Sequence, residues 1–128
     1  MEYKEEIYKK KRIIYVKTKG YLSKEELGPL TTLTRLKAKK LNCSLLFDFR
    51  ESINNISIFE AYYWIKEFYD KIDKSLKYIP TVHIVNKDNE EFFNFVETAW
   101  SNRGCCVHNF RDKKEGLHWL EENQVNEK

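Results

Sequence analysis

Apolar and polar positions change their period several times along the chain, and each change marks an element. Tyr3 to Tyr8 and Arg12 to Thr18 read as two strands, the second with Ile14 and Val16 alternating against Tyr15 and Lys17; Lys9 to Lys11 form the turn between them. Gly20 ends this hairpin. Ser23 and Glu26 then have the spacing of a capping box, in which the serine hydroxyl accepts from a backbone N–H and the glutamate bonds back to the cap. The helix that follows is interrupted at Gly28-Pro29 and resumes to about Lys40, with Leu30, Leu33, Leu36 and Leu41 recurring at helical spacing.

Ser44 to Phe49 holds Leu45, Leu46 and Phe47 in succession, the run expected of a strand buried on both faces of a parallel sheet. After a polar loop through Asn54 and Asn55, Ser57 with Glu60 predicts a second capped helix to about Asp73. Pro80 to Val85 is a strand, and Asp88 with Glu91 caps a helix that Gly104 terminates in the left-handed conformation. Cys105 to Phe110 is the last strand; Asp112 with Glu115 caps a final helix through about Glu122, and the polar tail from about 123 frays. The order ββαβαβαβα predicts an α/β fold in which helical crossovers build a five-stranded mixed, mostly parallel sheet with four helices, a single domain over residues 1–128. The rim where such sheets bind ligands then comprises the residues after Phe49, Asn86 and Phe110.

Composition narrows the partners. The 23 basic and 20 acidic residues give a net charge of +3, too small a surplus for a nucleic-acid surface. Three cysteines, two of them adjacent at Cys105 and Cys106, do not make a disulfide framework and read as reduced thiols. The charged N-terminus lacks a secretory leader and no run reaches the roughly 18 apolar residues of a membrane span, so the expected compartment is the cytoplasm. Lys9 to Arg12, and Lys37 with Lys39 and Lys40, are basic clusters that suit a solvated turn and helix end, or contact with an anionic membrane surface.

The 15% aromatic share is high, and it concentrates in the helix from Ile58 to Asp73. At about 100° per residue, Ile58, Ala61, Tyr62, Ile65, Phe68, Tyr69 and Ile72 gather on one face, the expected core face. Phe59 and Tyr63 fall to one side of it among Lys66, Glu67 and Asp70, and Trp64 on the opposite flank, so all three need another partner. Either a neighbouring element covers them or they mark a dimer contact, a lipid-facing gate or a partner groove. In the next helix Phe92, Val96, Ala99 and Trp100 line a core stripe. Trp119 lies off the Leu117 and Leu120 face, where it closes over the sheet edge or lines a pocket.

Catalytic motifs are missing. His83, His108, His118, Cys43, Cys105 and Cys106 show neither C-x-x-C nor H-E-x-x-H spacing, although Cys106 and His108 share a strand face; no metal site or cofactor is expected. No glycine-rich phosphate loop or G-x-S-x-G elbow is present, and nothing positive supports an enzyme built on Asp48 or His83. Asp48 and Arg50, at the exit of the central strand, either orient a polar head group or pair structurally.

Several strings resemble the SpoIIAA-like family of bacterial proteins, whose fold is shared with STAS regulatory domains and is compared with CRAL-TRIO lipid-transfer domains. Phe110-Arg111-Asp112-Lys113-Lys114-Glu115-Gly116-Leu117-His118-Trp119-Leu120 looks like the family's closing F-x-D-x-x-E-A-L-x-W-L, with glycine for alanine. Gly20 to Leu27 is similar to its strand exit and first cap, and Leu45 to Arg50 to its central strand ending in D-x-R. The D-S-[ST]-G phosphorylation motif of STAS antagonists is not present; Asp48 and Ser57 lie in roughly corresponding places, so Ser57 is either a helix cap or a phospho-switch. The resemblance implies a non-enzymatic binding or regulatory module. It docks a protein partner or itself through the aromatic helix 58–73, or holds an apolar small molecule or lipid between that helix and the sheet, with peripheral membrane contact.

Overall fold

The computed structural model describes residues 1–124; the tail predicted to fray lies largely outside the described residues. Five strands form one sheet in the sequential order β1 (Glu2–Tyr8), β2 (Ile13–Leu22), β3 (Ser44–Asn54), β4 (Thr81–Ile84), β5 (Val107–Phe110). The β1–β2 pair is antiparallel and the other three are parallel, as the crossover pattern requires. Four α-helices follow in turn: α1 (Lys24–Leu41), α2 (Ile58–Lys71), α3 (Glu90–Ser101) and α4 (Lys113–Glu122).

The sheet separates two cores. Ile14, Val16, Leu45, Phe47, Phe49 and Val107 point to the side covered by α1, α2 and α3; Ile13, Tyr15, Leu46, Val82 and Ile84 point to the side where Leu120 of α4 closes over them. All three crossover helices therefore lie on one face, which keeps the strand order sequential. Without a reversal of that order, no switch-point crevice opens at the carboxyl rim.

Local chemistry accounts for most element ends. Ser57 and Glu60 form the reciprocal capping box of α2, and the Asp112 carboxylate accepts from Glu115 N–H at the start of α4. Gly104 takes φ +80° after α3, where only glycine is unstrained. Trp119 packs on His108 and Phe110 and so covers the β5 edge.

Five expectations need correction. First, Gly28-Pro29 does not interrupt α1, which runs unbroken through Pro29. Second, its recurring leucines do not share one face: Leu33, Leu36 and Leu41 are exposed, while Leu30 is buried with Leu27, Thr31, Thr34, Arg35 and Ala38. The threonines tolerate burial because Thr31 and Thr34 donate to the carbonyls of Leu27 and Leu30, 2.7 and 2.8 Å away. Third, the Ser23 box does not form: the Ser23 hydroxyl donates to the Glu26 carboxylate at 3.3 Å instead of accepting from a backbone N–H, and the same carboxylate takes the Met1 ammonium at 3.2 Å.

Fourth, Asp88 is not the cap of α3. Asn86 Oδ1 accepts from the N–H groups of Asp88 and Asn89, and Asn89 Nδ2 donates to the carbonyls of Phe49 and Ser52, so two asparagines shape this turn. Fifth, β3 does not stop at Phe49. It bulges there, with Lys17 opposite Asp48 but Lys19 opposite Glu51, and continues to Asn54 alongside the long β2.

Candidate functional site

The α2 helix packs chiefly against α1 and α3 rather than flat on the sheet, which alters which of its residues are covered. Ala61 and Ile65 are buried, and Phe68, Tyr69 and Ile72 are half-buried, but Ile58 and Tyr62, expected in the core, are exposed. No broad sheet surface lies beneath the first turn to receive them. Trp64 turns inward: its ring meets Trp100 edge-on at 6.5 Å, and Phe68 meets the same indole at 5.4 Å. Phe59, Tyr62 and Tyr63 stay outside, with Phe59 72% exposed, and contact mainly one another through edge-on pairs of 4.9 and 5.5 Å.

Beside this ridge lies an open groove of about 920 Å³ between α1 and α2. Leu33 and Leu36 form its α1 wall and Tyr63, Trp64, Phe68 and Ile72 its α2 wall. Gly28 sets the spacing of the walls, since a β-carbon there would lie 3.2 Å from Trp64 Nε1. Periodicity alone marked Leu33 and Leu36 only as residues recurring at helical spacing; the signal that finds this groove is the pair of threonines and the arginine sharing the opposite face of α1. Behind Trp64, between α1, α3 and the sheet, lies a small, partly open cavity of about 20 Å³.

Asp48 and Arg50 lie on the other side of the sheet and do not join the aromatic residues. Asp48 is fully buried, and its two oxygens accept four bonds: from Arg50 N, Arg50 Nε and Nη2, and the Tyr15 hydroxyl, at 2.6 to 3.1 Å. Burial alone would raise this carboxyl, but the bonds from Arg50 and Tyr15 outweigh it and hold it below the usual carboxylate range. Burial first, then the Asp48 bond, push the Tyr15 hydroxyl up. Lys113 Nζ sits 4.0 Å above the Tyr15 ring and donates to Tyr8. With its acceptors used internally, this cluster ties the strand exit together.

Ser57 is exposed, and its hydroxyl accepts from Glu60 N–H at 3.0 Å, the geometry of a cap. Much of the basic surface is paired: Lys11 with Glu121, Lys37 with Glu5 and Lys39 with Asp73. Among the described residues no three histidine, cysteine or acidic side chains gather as a metal site, and no helix is long and apolar enough to cross a membrane.

No family model matches the chain, and no curated protein does either. Among solved structures, it is similar to an uncharacterized protein from the DUF3478 family with a SpoIIAA-like fold, from Shewanella loihica PV-4. The TM-score is 0.57 at 20% identity, over 93% of this chain and 92% of that one. The fold is SpoIIAA-like. In SpoIIAA-like terms, the groove and the aromatic ridge belong to the crossover-helix face, and the Asp48 cluster to the face covered by α4.

Proposed function

We propose that this chain is a binding module that docks an amphipathic helix of a protein partner in the groove between α1 and α2. The observation that supports it most is the outward aim of Leu33 and Leu36, 59% and 52% exposed, across from Tyr63 and Phe68. The buried face of α1 carries Leu27, Leu30 and Ala38 with two threonines and one arginine, and Leu33 and Leu36 lie outside it, where they enlarge an exposed apolar patch. Two helices walling an open groove suit a third helix that lays its apolar anchors between them. The rim carries both signs, Lys24 and Lys71 with Glu25, Glu67 and Asp73, which would set the register of a partner helix. Phe59 and Tyr62 extend the apolar surface beyond one end of the groove.

A displayed library of amphipathic helices, selected against the full chain, tests this reading. Selected peptides are expected to share apolar residues at i, i+3 or i+4, and i+7, and to lose at least tenfold in affinity against Leu33→Glu/Leu36→Glu, with Phe59→Asp weakening binding less. Light scattering reports whether a second copy occupies the groove instead. Failure to enrich any helix, or equal binding to the double variant, rejects the proposal.

A further inference from the structure

The two edges of the sheet end differently. At β5 the outward N–H of Asn109 donates to the Glu97 carboxylate at 2.6 Å, and Trp119 packs over the strand. Among the described residues, β1 has no such cover. The Arg12 carbonyl accepts from Ser44 N–H at 2.8 Å, so the even-numbered residues of β2 turn their backbone groups to β3 and the odd-numbered ones turn theirs to β1. Glu6 lies opposite Tyr15 and Lys4 opposite Lys17, so the even-numbered residues of β1 bond to β2. Tyr3, Glu5 and Ile7 therefore point their N–H and C=O groups outward, as a template for another strand.

Side chains indicate which strand fits. Tyr3, Glu5 and Ile7 share the α1 face, where Glu5 pairs with Lys37 at 2.9 Å. Tyr3 and Ile7 stay 47% and 38% exposed, because α1 packs over β2 and β3. On the other face Lys4 stands opposite Lys17, which pairs with Glu51, and among the described residues neither Lys4 nor Glu6 has a side-chain partner. We propose that β1 pairs antiparallel with β1 of a second copy about a dyad at Glu5, joining the two sheets edge to edge. In that register Lys4 faces Glu6 of the second copy and Tyr3 faces Ile7 of the second copy, each repeated by symmetry. The Glu5 side chains meet at the dyad, each balanced by its own Lys37. A dyad at Lys4 or at Glu6 would instead oppose two unpaired like charges and separate the tyrosine from the isoleucine. No β1 residue lines the groove between α1 and α2, so this contact is independent of helix docking.

Sedimentation equilibrium of the full chain, from micromolar to millimolar concentration, is expected to show a reversible monomer–dimer equilibrium. Lys4→Glu and Glu6→Lys each set like charges opposite one another in both cross-strand pairs, and each should weaken the dimer by about tenfold. An equimolar mixture of these two variants should dimerise again, because every facing pair is then opposite in sign. Both side chains are exposed and unpaired in the single chain, so the dilute variants should melt like the unaltered protein. Leu33→Glu/Leu36→Glu should leave the dimer intact, and Lys4→Glu should leave helix binding intact, so failure of either reading is told apart from failure of the other. A chain that stays monomeric at millimolar concentration, a dimer insensitive to both charge variants, a mixture that does not dimerise, or a dimer lost in Leu33→Glu/Leu36→Glu overturns the proposal.

Discussion

Gly116 and Ile84 are so closely packed that a β-carbon on the glycine would fall 2.7 Å from Ile84 Cδ1, with Val82 Cγ1 at 2.9 Å. This is the position at which the related closing motif carries alanine, and the β4 side chains beneath it explain the exchange. Gly116 lies inside α4, where glycine costs about 1 kcal/mol of helix propensity relative to alanine. The close approach of α4 to the sheet offsets that cost.

Gly116→Ala is accordingly expected to destabilise the chain by up to about 2 kcal/mol, because overpacking at about 1–3 kcal/mol exceeds the propensity gained. Ile84→Val removes the nearest methyl and should recover part of the loss. Urea denaturation of both single variants and the double variant checks this as a cycle, and additive effects would refute the contact as the cause.

Asp48→Ala should cost about 3–5 kcal/mol, since it strands the Arg50 guanidinium and the Tyr15 hydroxyl together. Arg50 is partly exposed and can turn to solvent, which favours the low end. Tyr15→Phe removes one neutral donor and should cost about 1–2 kcal/mol. Denaturant midpoints measure both, and a change below about 1 kcal/mol for Asp48→Ala would show that the cluster contributes little.

Ser57→Ala removes the hydroxyl half of the α2 capping box and should cost about 1 kcal/mol, whereas Ser23→Ala should be nearly neutral, because Ser23 accepts no backbone bond at the start of α1. Thermal melts of the two variants side by side test the contrast. Equal losses would mean that the N-cap position, rather than the bond, is what matters.

That contrast also shows what a sequence can reveal. Both serines have the same S-x-x-E spacing, but Glu26 accepts from the Ser23 hydroxyl and from the Met1 ammonium, and the second of these partners is one that only the folded chain brings near. The element order and the mixed, mostly parallel sheet were legible because they follow from period changes and crossover chemistry. The phase of α1 was not: leucine spacing alone does not say which face is buried, and the fold buries Thr31 and Thr34 because their hydroxyls are satisfied on their own helix. Which aromatic residues of α2 remain outside depends on α2 leaning on α1 and α3, and a single-helix projection carries no information about that tilt.

His83 should give the stability a distinctive acid dependence. It is buried among Phe47, Phe49 and Phe93, with Nδ1 3.1 Å from Asn109 Oδ1, and burial, then the Arg35 charge, hold its pKa down to about 3. Unfolded, it returns to about 6.5. Between these values the unfolded chain binds a proton that the native chain does not, so stability is complete above about pH 6.5 and is lost as the pH falls toward 3, by up to about 1.4 kcal/mol per unit. Asp48, held below the carboxylate range, adds its own loss only when the pH drops below about 4, where its unfolded form begins to protonate. Glu51, Glu60 and Glu90, held below their ordinary value by hydrogen bonds from Lys17, Ser57 and Arg111, begin to add losses below about pH 5.5, so the interval from about pH 6.5 to 5.5 isolates the histidine. His83→Gln keeps a polar partner for Asn109 without a titrating group, so its urea midpoint should vary less over that interval than the unaltered chain's. Parallel midpoints for the two proteins would mean that water or the neighbouring ring of His83 can stabilise the protonated form, and that the site is less closed than its burial indicates.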